Sequence, residues 1–150
     1  MRPITNERPD SEHDLLFGFN GEIGLEFDEI TTDRVFASLE VTARHQQPYG
    51  LVHGGIHCAL IEATASVGAA NWAVAQGLKG AVGVSNTTDF LRPVRTGRLV
   101  VEATPIHRGR SQQLWQATVV CDGKLVARGQ VRLQNLSNPD AIGGLAPETT

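Results

Sequence analysis

The sequence contains few cysteines, no excess of basic residues and no apolar leader. Only two cysteines, Cys58 and Cys121, occur among its 150 residues. They form neither a disulfide framework nor a metal-binding motif, so we expect reduced thiols, no metal and a cytoplasmic location. The formal net charge of −3 predicts no general attraction to nucleic acid or to an anionic membrane. The first 14 residues are polar and lack the apolar region of a signal peptide.

The longest apolar segment runs from residue 56 to residue 75. It approaches transmembrane length but contains Glu62 and Asn71, and charge at a bilayer centre is costly, so we do not expect a membrane span. The spacing instead predicts a helix over residues 55–76, with Gly77 as its C-cap. Apolar residues recur every three or four positions along one stripe, namely Ile56, Leu60, Ala63, Val67, Ala70 and Val74.

Strand-like runs lie on both sides of this helix. Two precede it, at 22–30 and 33–41, joined by a tight turn at residues 31–33. Four follow it, at 80–91, 98–107, 112–121 and 124–133, and Asp122-Gly123 makes the last two a hairpin. In the final run an inward face is expected to contain Leu125, Ala127, Gly129, Val131 and Leu133.

These elements predict one α+β domain over residues 1–136, with an antiparallel six-stranded sheet wrapped around one long central helix. A short helix is expected over 11–19, with Asp10 or Ser11 as its N-cap. Residues 137–150 have no periodicity and are expected to form a flexible tail.

The start of the long helix suggests chemistry. A helix N-terminus presents free backbone N–H groups and partial positive charge, and glycines there let a substrate atom approach. Gly54 and Gly55 could therefore hold a developing oxyanion. The alternative is that the two glycines only form the turn that precedes the helix.

Glu62 is the one carboxylate on this apolar helix. It lies either on a solvated face or in a partly desolvated setting that makes it reactive as a base or nucleophile. Eight residues of α-helix place Gly54 and Glu62 about 12 Å apart, too far for both to act on one carbonyl. If both do act, the two must come from different copies, as in a two-fold dimer with antiparallel helices.

Three features in order resemble the hotdog-fold acyl-CoA thioesterases, in particular the phenylacetate-degradation and 4-hydroxybenzoyl-CoA branch. They are "HGG" at the start of the helix, Glu62, and "DFLRPVRTG" after the following strand. The resemblance covers residues 21–135. It implies the hotdog fold, hydrolysis of an acyl-CoA to free acid and CoA, no cofactor beyond the CoA of the substrate, and a homodimer that pairs into a homotetramer.

The resemblance also implies residue roles. The backbone N–H of Gly54 would polarise the thioester carbonyl, and Glu62 of the other chain would act as nucleophile or general base. Gln47 would position the thioester or a water, His53 would orient Gln47 and the turn, and Ser66 would hold the attacking water. His45 and His57 have no partner pattern and are expected to be structural or exposed.

The remaining site residues concern the CoA moiety. Arginines at strand ends, Arg92, Arg95, Arg108 and Arg110, form the best basic patch for its phosphates. The polar strand residues Ser85, Asn86 and Thr87 resemble the family strand that pairs across the dimer and lines the pantetheine tunnel, and Gly55 is also expected to bind the substrate. Two alternatives stay open at this point: a hotdog hydratase, and an acyl-CoA-binding protein without thioesterase activity.

Overall fold

A six-stranded antiparallel sheet wraps around one long helix in the computed structural model, which describes residues 15–137. The strand order is β1-β2-β4-β5-β6-β3, and the long helix contacts every strand. This confirms the predicted α+β hotdog architecture. The elements are α1 (Phe19–Glu22), β1 (Glu26–Ile30), β2 (Val35–Glu40), α2 (Gly54–Ala75), β3 (Gly80–Phe90), β4 (Arg98–Arg108), β5 (Gln112–Cys121) and β6 (Lys124–Leu136).

Both predicted hairpins are present. In the first, the Thr31 N–H donates to the Arg34 carbonyl at 2.9 Å, and the Thr31 hydroxyl accepts from the Arg34 N–H. In the second, Asp122 and Gly123 both adopt positive φ, of 48° and 72°. Two successive positive φ values give a turn whose twist matches that of the flanking strands.

The N-terminal helix differs from its prediction. Within the described residues α1 covers only Phe19–Glu22, after a turn at residues 15–18. The N-cap positions predicted at Asp10 or Ser11, and the tail from 138 onward, lie outside the described residues. Gly18, at the start of α1, has φ 68°, and this conformation separates the turn from the helix.

Helix α2 buries a row of residues that overlaps the predicted stripe only in its first half. Ile56 and Leu60 are buried as expected, whereas Val74 is exposed. The buried face is instead continued by small residues, because these let the helix lie closest to the sheet. At Gly68 a Cβ atom would stand 2.5 Å from the Trp115 ring, so the helix backbone rests directly on that indole.

Helix α2 ends in a Schellman motif, which agrees with the role predicted for Gly77 at the end of the helix. Gly77 has φ 83°, its N–H donates to the Val74 carbonyl, and the Leu78 N–H donates to the Ala73 carbonyl. This pairing satisfies carbonyls that the helix leaves open and turns the chain into β3.

Strand β6 departs from the predicted alternation at its start. Leu125, expected to face inward, is exposed and Val126 is buried, because a bulge opposite Val119 and Val120 inserts one extra residue. The carbonyl of Val126 accepts the N–H groups of Leu91 and Arg92 at 2.8 and 3.1 Å. The bulge therefore anchors the chain segment that follows β3.

A buried polar network connects α2 to the turn between β4 and β5. Gln113 donates to the Ala69 carbonyl at 3.0 Å and to the Asn135 side chain at 2.7 Å, and it accepts from the Trp115 indole at 2.8 Å. Asn135 in turn donates to the carbonyls of Gly109 and Arg110 at 3.0 and 3.1 Å. The turn is thus fixed through its backbone.

Candidate active site

His53 is the N-cap of α2. Its Nδ1 accepts the backbone N–H of Gly55 at 2.8 Å, so the neutral ring carries its proton on Nε2. The neighbouring N–H of Gly54 has no acceptor among the described residues. Of the two glycines proposed to hold an oxyanion, Gly54 therefore presents the free donor, and the Gly55 donor is already engaged by His53.

Phe90 packs against this first turn of the helix. A Cβ atom on Gly54 would overlap the Phe90 ring, so glycine is required there for space. The same ring is 5.9 Å from the His57 ring, centroid to centroid, and it remains largely exposed. Phe90 belongs to the site although only the "DFLRP" motif, and no residue role, pointed to it in the sequence.

The two histidines expected to be structural differ from each other. His45 is buried and fully paired: one ring nitrogen lies 2.7 Å from the Ile23 carbonyl and the other accepts the Thr42 N–H at 2.9 Å. His57 is also buried, but its Nδ1 has no partner in the described part of the chain. Burial lowers the pKa of His57, since removal from water disfavours the charged ring.

Gln47 lies in a tight loop that precedes α2. Its carbonyl accepts the Gly50 N–H at 2.8 Å, and its side-chain oxygen accepts the Tyr49 N–H. No hydrogen bond joins Gln47 to His53 in residues 15–137, so the orienting contact that the family resemblance implied is not formed. The Gln47 side-chain NH2 group is left available to a ligand.

Glu62 and Ser66 lie one helical turn apart on the same face of α2, as predicted. Both line a groove of about 1190 Å³. Its other lining side chains are mostly apolar and come from α1, β1, α2 and the start of β3, including Phe19, Ile30, Ala59, Ala63, Val67, Ala70, Val74 and Ala81. The groove therefore places a carboxylate and a hydroxyl beside an apolar surface.

The expected desolvation of Glu62 is not found in a single chain. Its side chain is exposed, because the apolar residues on either side of it open onto the groove instead of closing over it. The carboxylate does lie against β3, where a Cβ atom on Gly83 would be 2.7 Å from its Oε1 atom. Any further removal of Glu62 from water has to come from a ligand or a second chain.

The polar residues of β3 divide between the two faces of the sheet. Asn86 points to α2 and donates from its amide to the Cys58 carbonyl at 3.0 Å. The Thr88 hydroxyl donates to the Asn86 side-chain oxygen at 2.7 Å, which fixes the orientation of the amide. Thr87 instead lines a polar depression away from Glu62, and Ser85 is exposed.

The four arginines do not form one patch within a chain. Arg92 and Arg95 precede β4, whereas Arg108 and Arg110 lie at its other end, and a strand of this length spans about 33 Å. The sequence motifs that grouped the four arginines gave no information about this separation in space. A single basic surface that contains both pairs of arginines would therefore require opposite ends of β4 from two different chains.

The four guanidinium groups also differ in their contacts. Arg108 donates to the Thr32 carbonyl at 2.8 Å, pairs with Asp33 at 2.9 Å and lies over the Trp72 ring. Arg95 donates to the carbonyls of the loop at Tyr49 and Gly50. The side chains of Arg92 and Arg110 are exposed and form no hydrogen bond or ion pair within residues 15–137, so of the four these two are free to meet an anion.

Comparison with known proteins matches this geometry to a family. The model of the thioesterase superfamily matches residues 49–127. Rv1847 of Mycobacterium tuberculosis, named for a suggested esterase activity, is 48% identical over 120 residues, covering 79% of this chain and 86% of that protein. Its solved structure superposes with a TM-score of 0.78 over 80% of this chain and 97% of the other.

Two further relatives are informative. The crystal structure of AziG from S. sahachiroi is 45% identical, with a TM-score of 0.77 over 82% of this chain and 99% of that one. The 1,4-dihydroxy-2-naphthoyl-CoA hydrolase of Escherichia coli is 32% identical over 99 residues, covering 66% of this chain and 71% of that protein. With its hotdog fold and these relatives, the chain belongs to the thioesterase superfamily and is a thioester hydrolase.

Proposed function

We propose that the protein hydrolyses acyl-CoA thioesters at a site shared between two protomers. The observation that carries the proposal is the free N–H of Gly54 at the start of α2, on the same helix as Glu62. The two groups are about 12 Å apart along that helix, so one thioester carbonyl can reach both only if a second chain supplies one of them.

The edge of the sheet supports one arrangement of the two chains. Strand β3 is an edge strand of 11 residues with Val82 and Val84 exposed. A long exposed edge favours pairing with another strand. Pairing of β3 with β3 of a second copy about a two-fold axis would set the α2 helices antiparallel, with Glu62 of each chain facing the partner's Gly54.

The chemistry then uses groups already in place. The partner's Gly54 N–H donates to the carbonyl oxygen, and Glu62 takes a proton from a water held by Ser66 as the water oxygen bonds to the carbonyl carbon. Collapse of the tetrahedral species breaks the C–S bond, and the proton passes from Glu62 to the leaving sulfur. In the alternative, the Glu62 carboxylate itself bonds to the carbonyl carbon and the C–S bond breaks to release CoA as its thiolate. Water then hydrolyses the mixed anhydride to the free acid and regenerates Glu62.

Substrate contacts fit an acyl-CoA. The apolar groove beside Glu62 suits the acyl group, and the unpaired side chains of Arg92 and Arg110 suit the CoA phosphates. One relative, the E. coli hydrolase, is named for a CoA thioester, which supports the same class of substrate here.

A thiol-release assay over aryl, short-chain and long-chain acyl-CoAs tests the proposal. We expect turnover of at least one class of acyl-CoA, with free acid and CoA produced in equal amounts. Tight binding of acyl-CoA without thiol release would identify a binding protein and contradict the proposal, as would addition of water to an enoyl-CoA with the thioester intact.

A further inference from the structure

Gly83 is in contact with the Glu62 carboxylate across the gap between β3 and α2. A Cβ atom built on Gly83 would lie 2.7 Å from Glu62 Oε1, 3.4 Å from its Cδ and 3.7 Å from its Cγ. Gly83 is not among the residues with positive φ, so its backbone conformation is open to any residue. Glycine is needed at this position for the space that the carboxylate occupies.

A β-bulge places Gly83 in that position. Gly83 pairs with Leu133, whereas Ser85 pairs with the adjacent Arg132, so Val84 is the extra residue. Side chains alternate between the two faces along a strand, so two residues that are three positions apart would normally lie on opposite faces. Because the bulge shifts this alternation by one, Gly83 and Asn86 both face α2.

Asn86 fixes the helix next to the same contact. Its amide donates to the carbonyl of Cys58, which is the carbonyl that accepts the Glu62 N–H in α-helical geometry. The Glu62 backbone is therefore held against β3, and its side chain reaches the strand at Gly83, where no side chain projects. The carboxylate itself has no hydrogen-bond partner among the described residues.

We propose that Gly83 is a positioning residue for Glu62, a proposal that rests on the thioesterase function above. The missing side chain at Gly83 lets the carboxylate lie against the strand backbone. A methyl group there would push Oε1 away by about 0.7 Å to reach ordinary contact distance. The carboxylate is the free end of a flexible side chain, so the fold tolerates the change while the reactive atom moves.

The first test is Gly83→Ala. We expect turnover to fall at least about tenfold with KM within twofold of wild type, because displacements near 1 Å at a reacting group cost up to about a hundredfold. The melting temperature should stay close to that of wild type. Val100→Ala, at an exposed valine of β4 outside both the groove and the β3 edge, is the control and should leave turnover intact.

The decisive test is a double-mutant cycle with Glu62→Asp, whose shorter side chain withdraws from an added methyl group. In the Gly83→Ala background, the fold-reduction in turnover caused by Glu62→Asp should be at least about tenfold smaller than in wild type, or turnover should be restored. A merely structural role for Gly83 would give independent effects, and additivity would overturn the proposal.

A structural measurement separates this proposal from the thioesterase function. In a crystal structure of the Gly83→Ala variant, the Glu62 carboxylate should be displaced from the strand. An unmoved carboxylate would overturn the positioning role. If instead the wild-type protein releases no thiol from any acyl-CoA, the thioesterase proposal fails whatever the position of the carboxylate.

Discussion

The Nδ1 atom of His53 accepts the N–H of Gly55 at 2.8 Å, and this bond leaves the adjacent N–H of Gly54 as the free donor at the start of α2. Removing the cap should loosen the turn that presents this donor. We expect His53→Ala to lower the free energy of unfolding by about 1 kcal/mol and to reduce turnover.

His53→Asn is the matched control, since asparagine is a favoured N-cap whose side-chain oxygen can accept the same N–H. It should recover most of the stability and activity in chemical denaturation and thiol-release assays. Equal losses of stability and activity in both variants would show that the imidazole is needed for a reason other than capping.

Glu62→Gln should leave the fold and the dimer intact but lower turnover by at least about a hundredfold, the scale of a lost general base. Initial rates of thiol release measure the effect, and circular dichroism checks the fold. Glu40→Gln, at an exposed carboxylate that ends β2, serves as control. Near-normal turnover in a folded Glu62→Gln protein would remove Glu62 from the mechanism.

Subunit mixing tests the shared site. One chain carries Glu62→Gln, and the other carries Gly54→Pro, which removes the donor N–H. Because any side chain at position 54 meets the Phe90 ring, the second chain also carries Phe90→Ala, and Phe90→Ala alone is the control.

Co-refolded heterodimers should regain about one working site in two, since one site receives both intact halves and the other receives both lesions. If heterodimers form and each chain folds, yet no activity returns, then Glu62 serves a site within its own chain and the shared-site proposal is wrong.

Arginine substitutions should separate CoA binding from folding. Arg92→Gln and Arg110→Gln are expected to raise KM for acyl-CoA and barely change KM for a short pantetheine thioester, which lacks the nucleotide phosphates. Arg128→Gln, on the outer face of the sheet, is the control. An equal rise for both substrates would refute the phosphate contact.

Arg108→Gln should behave differently, because this guanidinium already binds the Thr32 carbonyl and Asp33. We expect a loss of about 1–2 kcal/mol in the free energy of unfolding, from a charged hydrogen bond to backbone. Any additional rise in KM for acyl-CoA alone would show that Arg108 also contacts CoA, as expected for this arginine from the sequence. A variant with unchanged stability would contradict the structural role.

His57 should make stability depend on pH. Burial lowers its pKa in the folded chain below the ordinary value of 6.5. As the pH falls below 6.5, the unfolded chain binds a proton that the folded chain does not, so the free energy of unfolding decreases. Denaturation at pH 7 and below 6 should show this decrease in wild type and a smaller one in His57→Leu. The exposed His107, changed to Gln, is the control, and identical pH dependence in all three proteins would contradict the assignment.

Much of the fold was predictable because it depends on local periodicity. Alternation located β2, and the glycines marked both ends of α2. The bulges at Val84 and Val126 were not predictable, since one extra residue interrupts an alternating pattern without leaving a signature of its own. The inward face predicted for β6 was therefore wrong at Leu125.

Only the part of the candidate site that lies on α2 was predictable. Gly54, Glu62 and Ser66 share α2, so their relative heights follow from the rise per residue. The arginines were grouped by motif, yet β4 separates them, which no local pattern reveals. Glu62 is exposed because the apolar residues beside it open onto the groove, and the sequence pattern gives no sign of that opening.

The turn between β4 and β5 is held by Asn135 through the carbonyls of Gly109 and Arg110. Such an anchor makes no use of the side chain at position 110. That side chain can therefore be exchanged for another without moving the backbone that carries it. For anyone redesigning ligand preference, residue 110 is a place where charge and size can be varied one at a time, on a support fixed to the central helix.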